Sequence, residues 1–294
     1  MLVIGSVFVD VKGFAREKYM PLERNVGDVQ VTAGGVCRNV AENLVGLGLP
    51  ARFVSMVDDN AMGDQVRGDL AAMGVDVKHV LRAPGGMGMW LAILDESGNL
   101  AGSISRQPDF APLEAYLDEN GGEVIAAEDG VVLEVDTSAA ISDRVLALAK
   151  EHGKPVYCIV GNMGVILKHP EYLHEMACFI CNEMEAGRLF REDYTALGPD
   201  DMLEALKRGS AVAGIPAMVV TMGPKGAVYV DNRTGEFGFC PPPNVAVVDT
   251  TGAGDAFFSA AVAALMRGAP LSQAVRDGTD LAARTLQVEG SCAK

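Results

Sequence analysis

The most constraining feature of this sequence is the alternation of short apolar segments with longer amphipathic ones. Segments that suit buried strands are 2–5, 52–57, 131–135, 155–160, 178–181, 217–221 and 245–248. Segments with the helical spacing of apolar residues are 36–47, 63–73, 141–150, 202–209, 256–266 and 271–288. Strands that alternate with helices form mostly parallel sheets covered by helices on both faces. The sequence therefore predicts an α/β fold with three layers and a mostly parallel, Rossmann-like sheet.

Two segments interrupt this alternation and carry strand-like patterns instead. Residues 11–31 are polar and poor in helical pattern, whereas residues 87–106 contain two strand-like runs around the turn Glu96-Ser-Gly-Asn99. We expect both segments to lie on one edge of the sheet as a small β lid. No linker or repeat interrupts the chain, so we expect a single domain over residues 1–294.

The composition argues against several function classes. The chain has 24 Lys and Arg against 39 Asp and Glu, a formal net charge of −15, whereas binding to a nucleic acid polymer requires clustered basic residues. No apolar run reaches the roughly 18–20 residues of a membrane-spanning helix, and the N-terminus lacks the basic leader of a signal peptide. The six cysteines, with Cys178 and Cys181 among them, suit buried free thiols of a reducing compartment. We therefore expect a cytoplasmic protein that binds neither membranes nor nucleic acid polymers.

The segment Asp249-Thr-Thr-Gly-Ala-Gly-Asp255 has the strongest chemical signature. It follows the strand-like run 245–248 and precedes a helix that we expect to begin near Asp255. Backbone N–H groups at a helix N-terminus bind anions, and glycine at positions 252 and 254 lets a phosphate approach the backbone closely. A carboxylate beside such a site can accept a proton from a hydroxyl group during phosphoryl transfer. Asp255 as a simple helix cap is the alternative, but the adjacent Asp249-Thr-Thr and the Phe-rich helix favour catalysis.

This segment resembles the D-T-x-G-A-G-D signature of the PfkB-type, ribokinase-like carbohydrate and nucleoside kinases. Three further motifs of that family occur in family order over nearly the whole chain: Gly34-Gly35-Val-Cys-Arg-Asn39, Asn182-x-x-Glu185 and Thr221-x-Gly223-x-x-Gly226. The resemblance implies a ribokinase-like fold with a small β lid. It also implies ATP-dependent phosphorylation of a hydroxymethyl group on a small sugar or nucleoside.

The resemblance also implies a role for each matched residue. Asp255 would be the catalytic base, and Gly252, Ala253 and Gly254 would form the anion hole. The ATP-binding residues would be Asn182, Thr221, Gly223 and Gly226. Glu185 would act on the phosphates through Mg²⁺ and its waters, and a monovalent cation such as K⁺ would bind at Asp249 and Thr251. The residues that hold the substrate's hydroxyl groups would be Asp10, Gly34, Gly35 and Asn39.

Each smaller motif has a plain structural alternative when it is taken alone. The two glycines at 34 and 35 suit a tight turn, Asn182 suits a helix cap, and residues 221–226 suit an ordinary hairpin. Trp90 suits a packed lid residue more than a stacking platform. Glu134 and Asp136 end a strand at the edge where ligands of α/β sheets bind, so they are candidates for supporting or metal-associated groups.

The substrate is less well determined than the reaction. The segment Gly35-Val-Cys-Arg-Asn39 followed by Ala-Glu-Asn-Leu44 looks most like pseudouridine kinases, and Phe8 stands where sugar kinases of the family often carry Asn. The alternatives are a free-sugar kinase for ribose or fructose and a non-catalytic relative that senses its ligand. Family members often dimerise through the lid, and the apolar residues Met87, Met89, Trp90 and Leu91 suit either such a homodimer contact or packing within their own chain.

Overall fold

The structure is a computed structural model that describes residues 1–161 and 163–288 together with Gly290 and Cys292. In this part of the chain the strands are β1 (Leu2–Ile4), β2 (Phe8–Ala15), β3 (Gly27–Gly34), β4 (Arg52–Val57), β5 (Asp76–Arg82), β6 (Gly88–Leu94), β7 (Leu100–Arg106), β8 (Val131–Glu134), β9 (Val156–Ile159), β10 (Cys178–Asn182), β11 (Ala217–Thr221), β12 (Ala227–Asp231) and β13 (Glu236–Cys240). The α-helices are α1 (Val36–Gly46), α2 (Ala61–Ala72), α3 (Ala111–Ala126), α4 (Ala139–Glu151), α5 (Glu183–Phe190), α6 (Pro199–Val212), α7 (Ala253–Met266) and α8 (Leu271–Thr285). Short 3₁₀ turns occupy Pro170–His174 and Gly223–Lys225.

Nine of the described strands form a large sheet in the order β13-β12-β11-β10-β9-β8-β1-β4-β5. The strands from β11 to β5 run parallel, and β12 and β13 add an antiparallel edge. The predicted mostly parallel α/β sheet is therefore confirmed. Its parallel strands end together, so β1, β8, β10 and β11 bring their last residues to one edge, where ligands of such sheets bind.

The apolar core lies in two layers, one on each face of the large sheet. Successive residues of β1 point to opposite faces, so Leu2 and Ile4 join one layer and Val3 joins the other. The first layer packs against α3, α4 and α6, and the second against α1, α2, α7 and α8. Helix α7 is buried along most of its length because it packs between α1 and α8. The sequence-based expectation of three layers is thus confirmed.

A second, four-stranded sheet in the order β3-β2-β6-β7 forms the predicted lid. Strand β2 pairs antiparallel with β3 and parallel with β6, and β6 and β7 form the predicted hairpin. Paired residues in a sheet point to the same face. One face therefore carries Asp10, Thr32 and Trp90 in register, and the other carries the apolar residues Val31, Leu91 and Ile104.

The strand predicted at 245–248 is wrong. In the structure, residues 241–250 run outside the sheet, and Val248 N and Asp249 N both donate to the carbonyl of Leu286, at 2.7 and 3.4 Å. Strand β13 is the edge strand at this end of the sheet, and none of the described strand pairings joins the segment to it. The apolar residues of the segment line a cavity instead, as described below.

Several elements were placed imperfectly or missed by the sequence analysis. Helix α7 begins at Ala253 rather than near Asp255, and α8 ends at Thr285 rather than at residue 288. The elements absent from the prediction are β5, β12, β13, α3 and α5. Helix α3 contains two adjacent glycines, Gly121 and Gly122, which weaken its helical pattern, yet Gly121 lies against Leu148 of α4 where a larger residue would collide.

The six cysteines are free thiols in the described structure. Five are buried, and Cys292 is half-exposed. Among the described helices, none has both the length and the apolar character needed to cross a membrane.

Candidate active site

The N-terminus of α7 places Asp255 at the edge where the parallel strands end. Gly252 is the helix N-cap residue with φ +75°, a left-handed conformation that glycine adopts without strain. Helix α7 therefore begins immediately after this turn, and the N–H groups of its first residues are free of intrahelical partners by geometry. A Cβ built at Gly254 would meet nothing within 4 Å. The first turn of α7 thus opens into empty space beside Asp255.

The carboxylate of Asp255 is held by α1. The side-chain amide of Asn39 donates from Nδ2 to Oδ2 of Asp255 at 2.7 Å. Burial raises the pKa of Asp255 to about 6, and the hydrogen bond from Asn39 opposes that rise. A carboxylate with a pKa near 6 is mostly charged at neutral pH and can still accept a proton readily, as a general base must.

Helix α1 begins at a glycine turn that the structure requires. Gly35 is its N-cap residue with φ +108°, and a Cβ there would lie 2.8 Å from the carbonyl oxygen of Ser6. A Cβ at Gly34 would lie 2.7 Å from Oδ2 of Asp10. The two glycines therefore let the start of α1 approach β2 and the loop after β1. Gly34 thus lies against Asp10 of β2, and Asn39, one turn into α1, contacts Asp255.

Asp10 lies on the face of the lid that also carries Lys12. Burial raises the pKa of Asp10, and the charge of Lys12 offsets part of that rise. Burial also raises the pKa of Asp249, but hydrogen bonds from Thr251 and Gly290 and the charge of Lys12 outweigh it, so the net shift is downward. Lys12 thus acts electrostatically on both the lid and the loop before α7. This face of the lid is therefore the one directed toward α7.

The loop before α7 is shaped by Asp249. Its Oδ1 accepts from Thr251 N at 2.9 Å and its Oδ2 accepts from Gly290 N at 3.3 Å. The carboxylate thereby ties the glycine turn to the chain segment that follows α8. Asp249 and Thr251 lie together, but the carboxylate is engaged by backbone donors rather than turned outward.

Asn182 and Glu185 form a capping box at the start of α5. Oδ1 of Asn182 accepts from Glu185 N, and Oε2 of Glu185 accepts from Asn182 N, both at 2.9 Å. Asn182 is therefore a helix cap, the structural alternative given for it above. Burial raises the pKa of Glu185, hydrogen bonds from Asn182 oppose it, and the like charge of Asp136 adds to the rise. Two neighbouring carboxylates suit a cation and its waters.

A cavity of about 660 Å³ lies between α7, α8 and the turn after β11. Its lining includes Thr221, Gly223 and Gly226 from that turn, and Ala253 and Gly254 from the start of α7. Thr221 pairs with Asn182 across β10 and β11, which places the capping box beside the cavity. Most of the remaining lining residues are apolar, with Val245 and Val247 from the segment outside the sheet among them, and Asn244, Thr250 and Thr279 add polar groups. A flat nucleobase with a phosphate tail directed at α7 fits this shape.

Gly226 is needed for the turn that borders this cavity. Its φ is +98°, and a Cβ there would lie 2.4 Å from the carbonyl oxygen of Cys240. Met222 N donates to the carbonyl of Gly226 at 2.8 Å and closes the turn. Residues 221–226 therefore form an ordinary hairpin turn, as the structural alternative predicted. The same hairpin also lines the cavity.

Glu134 supports the site by holding the loop that follows β1. It is buried at the end of β8, where its carboxylate accepts from Ser6 N at 2.7 Å and from Ser6 Oγ at 2.9 Å. Burial raises the pKa of Glu134 to about 7 against these hydrogen bonds. Asp136 accepts from Gly161 N at 2.9 Å and from Val165 N at 3.3 Å. Both residues hold loops at the sheet edge, and Glu134 fixes the segment that leads from β1 to the lid.

Sequence reasoning missed two cations of this site, Lys12 and Arg38. Lys12 carries a readable signal, because it stands two residues after Asp10 and so points to the same face of a strand. Arg38 is buried within the first turns of α1 and contacts Asn39. A charged residue among apolar helix positions such as Val36, Cys37 and Val40 was the signal available for it.

Phosphoryl transfer to a hydroxyl requires a base, donors for the transferring group and a cation beside the nucleotide. This site has a carboxylate base beside an open helix N-terminus, a nucleotide-sized cavity and a pair of carboxylates suited to a cation. Within the described residues, no cluster of three or more His, Cys, Asp or Glu side chains is arranged to hold a metal alone. The pair of carboxylates, Glu185 and Asp136, suits Mg²⁺, which is commonly held by one or two carboxylates, waters and substrate phosphates. The fold and site thus define an α/β phosphotransferase.

Comparison with known proteins identifies the family. The model of the pfkB family carbohydrate kinases matches residues 1–294. The chain belongs to this family, and it is a phosphotransferase that acts on hydroxyl groups of sugars or nucleosides. Kinases of this ribokinase-like type use ATP, typically with Mg²⁺.

Two relatives and one solved structure illustrate the range of the family. A guanosine-inosine kinase of Exiguobacterium acetylicum is 37% identical over 285 residues, which cover 97% of this chain and 93% of the relative. A pseudouridine kinase of Escherichia coli is 27% identical over 292 residues, 98% of this chain and 91% of the relative. The structure of Arabidopsis thaliana ribokinase complexed with ribose and ATP has a TM-score of 0.84 at 23% identity and covers 99% of this chain and 93% of that one. It supports the ribokinase-like fold.

Proposed function

We propose that this protein transfers the γ-phosphoryl group of ATP to the hydroxymethyl group of a nucleoside, with inosine or guanosine as the acceptor. The observation that carries the transfer is the contact between Asn39 and Asp255 at the open N-terminus of α7. The choice of a purine nucleoside is supported by the 37% identity to a guanosine-inosine kinase over nearly the whole chain.

In this proposal the acceptor binds between the lid and α1. Asp10 and Asn39 hold hydroxyl groups of the sugar, and Gly34 and Gly35 let the sugar approach the backbone. Phe8 and Trp90 share the face of the lid that carries Asp10, and they offer apolar surface to the base. The hydroxymethyl group then lies beside Asp255.

The transfer itself uses few groups of this chain. Asp255 takes the proton of the acceptor hydroxyl while the N–H groups of Gly252, Ala253 and Gly254 stabilise the negative charge of the transferring group. ATP lies in the 660 Å³ cavity against Thr221, Gly223 and Gly226. Glu185, with Asn182 beside it, would hold Mg²⁺ through waters, and the bound ion would supply charge neutralisation on the phosphates. Asp249 maintains the shape of the loop before α7. Together, Asp249 and the carbonyl of Thr251 form the site for a monovalent cation such as K⁺.

Pseudouridine is the second candidate acceptor. It is favoured by the segment from Gly35 to Asn39, which resembles that of pseudouridine kinases, and by the 27% identity to one such enzyme. Both acceptors present the same hydroxymethyl group to Asp255, so the reaction is unchanged between them.

We further propose that residues 1–294 form one domain whose lid closes over the acceptor and excludes water from the transfer. The outer face of the lid exposes Val29, Val31 and Ile104, with relative exposures of 70%, 52% and 71%. A contiguous apolar face on a four-stranded sheet suits a second copy of the same chain. We propose a homodimer through this face.

The test is ADP release from Mg-ATP with inosine, guanosine, pseudouridine, ribose and fructose, with the Asp255→Asn variant as the matched control. Selective turnover of inosine or guanosine is the expected result. Turnover of pseudouridine alone would replace the acceptor by the second candidate. Turnover of ribose or fructose alone would overturn the nucleoside assignment and keep the transfer. Bound ATP without turnover of any acceptor would favour a ligand-sensing relative.

A further inference from the structure

Three side chains of α1 form a chain of contacts that ends at Asp255. Nη1 of Arg38 donates to Oδ1 of Asn39 at 2.9 Å, and Nδ2 of Asn39 donates to Oδ2 of Asp255 at 2.7 Å. At the far end, Nη2 of Arg38 forms an ion pair with Oε2 of Glu42 at 2.8 Å. The result is a continuous chain of contacts from Glu42 to the proposed base.

We propose that Arg38 is a positioning residue for phosphoryl transfer: it fixes the side-chain amide of Asn39 so that the NH₂ group faces Asp255. This inference rests on the proposed function, in which Asp255 is the base. Arg38 itself does not contact Asp255 in the described hydrogen bonds. It acts through Asn39.

The orientation follows from the donor and acceptor inventory of the two side chains. An asparagine amide has one end that accepts and one end that donates, whereas a guanidinium group only donates. Because Arg38 donates to Asn39, the oxygen of that amide must face Arg38. The NH₂ group must then face the carboxylate of Asp255. The charged carboxylate of Asp255 favours the same orientation, and Arg38 adds to this preference by disfavouring the reversed amide, whose oxygen would suit only a protonated Asp255.

Burial makes this arrangement specific. Arg38 and Asn39 are 8% and 7% exposed, so little water reaches them to replace a lost contact. A buried guanidinium requires a partner for its charge, and Glu42 supplies it. Arg38 and Glu42 are four residues apart on α1, a spacing that places them on the same helix face. The pair can therefore hold its position whether or not substrate is bound.

The relation of Arg38 to Asp255 depends on tertiary packing of α1 against α7. Other titratable groups that interact with the charge of Asp255 are Glu134 at the end of β8 and Cys37 on α1. Lys12 of β2 acts on Asp10 and Asp249 rather than on Asp255. Substitution of Arg38 leaves all these groups in place, so a change at Asp255 reports the loss of the Asn39 orientation.

The first experiment measures Asp255 directly and needs no substrate. The carboxyl resonance of Asp255 is assigned in protein with ¹³C-labelled aspartate by its absence from Asp255→Asn, and it is titrated in the wild type and in Arg38→Met. We expect the pKa of Asp255 to rise by about one unit in Arg38→Met, since a hydrogen bond to a charged group is lost. Glu42→Gln is the matched control, because the glutamine side-chain oxygen can still accept from Arg38 and hold it in place while the charge of Glu42 is removed, and we expect its titration to match the wild type.

The second experiment follows the pH dependence of kcat/KM with inosine and Mg-ATP. We expect Arg38→Met to lose about tenfold or more in kcat, with its acidic limb displaced to higher pH and the affinity for Mg-ATP unchanged. Arg38→Lys, which restores one donor, is expected to recover part of both losses. Where Arg38→Met fails to fold, Arg38→Gln provides the same measurement with a smaller change of volume.

Distinct results separate the failure of this inference from the failure of the proposed function. An unchanged Asp255 titration in both Arg38→Met and Arg38→Gln would overturn the inference, as would equal losses in Arg38→Met and Glu42→Gln without displacement of the acidic limb. Retention of full activity by Asp255→Asn would instead overturn the base assignment and with it the proposed function. An inactive Asp255→Asn with an unchanged titration in the Arg38 variants would leave the proposed function in place and remove only the role of Arg38.

Discussion

The carboxylate of Asp10 lies directly over the backbone of Gly34, so that a Cβ at Gly34 would be 2.7 Å from Oδ2 of Asp10. The two residues belong to paired strands, β2 and β3, and point to the same face of the lid. Gly34 therefore leaves the space that Asp10 occupies. Because Asp10 is proposed to hold a hydroxyl group of the acceptor, the absence of a side chain at position 34 becomes a requirement of the site.

Gly34→Ala is expected to displace Asp10 and raise the KM for the acceptor by about tenfold, which corresponds to the loss of one hydrogen bond to a charged group. The affinity for Mg-ATP should be unchanged, because the nucleotide cavity lies elsewhere. Steady-state kinetics with inosine and Mg-ATP checks both values. Gly13→Ala on β2, the strand of Asp10, is the control, since a Cβ there meets only the carbonyl oxygen of Ala92 at 3.9 Å. Equal KM values for the two variants would contradict the argument.

Asp255→Asn is expected to preserve folding and ATP binding and to lower kcat by roughly 10²–10⁴-fold. The substitution keeps the shape of the side chain but removes its ability to accept the proton. It also removes a buried charge, so no loss of stability is expected at pH 8. Turnover assays together with calorimetric binding of ATP test this, and a variant with near-full activity would exclude Asp255 as the base.

Glu134→Gln is expected to change the pH dependence of stability. Burial raises the pKa of Glu134 to about 7 from its ordinary 4.5. As the pH rises from 4.5 to 7, the unfolded chain releases its proton first, so the wild type loses stability, by about 3 kcal/mol in all. Below the unfolded value both states are protonated and the contribution is fully present. Glutamine has no proton to release, so its stability relative to the wild type should increase between pH 5 and pH 8.

Urea unfolding at pH 5 and pH 8 measures this difference. Asp255 titrates in both proteins, and because it interacts with the charge of Glu134 its contribution cancels only in part. Parallel changes in the free energy of unfolding for the two proteins would contradict the assignment of a raised pKa to Glu134.

Val31→Asp combined with Ile104→Asp is expected to convert the proposed homodimer to a monomer. The two side chains lie on the outer face of the lid, and a charge buried in an apolar interface carries a large desolvation penalty. Light scattering at several protein concentrations gives the mass of each form. Val212→Asp is the control, because Val212 is 87% exposed on α6, away from the lid. A wild-type protein that remains monomeric at every concentration would remove the interface.

The resemblance to known kinases and the alternation of strand and helix patterns predicted much of this structure. The strands at 52–57 and 217–221 agree with β4 and β11 at both ends. The lid was predicted from its two strand-like interruptions. These features are local: apolar periodicity and turn residues are fixed by neighbouring positions. For this reason the motifs could be placed at strand ends and helix starts before any contact was known.

The segment 245–248 shows where local pattern fails. Its apolar residues suit a strand, but Val247 and Val248 are each 59% exposed outside the sheet. An apolar segment suits both a buried strand and the wall of a ligand cavity, so the local pattern does not distinguish the two. Helix α3 shows the opposite error. Its two adjacent glycines disfavour a helix by local propensity, but packing against α4 stabilises the helix.

The sequence by itself determined the fold class, the family and the residue types of the site. The tertiary structure alone decided which of them meet. The contact of Asn39 with Asp255 spans 216 residues, Ser6 and Glu134 are 128 residues apart, and Arg38 gains its place in the site only because α1 packs on α7. Burial likewise sets the pKa values of Asp255 and Glu134. Distances between remote segments and exclusion of water are properties of the packed chain, and no local pattern of residues contains them.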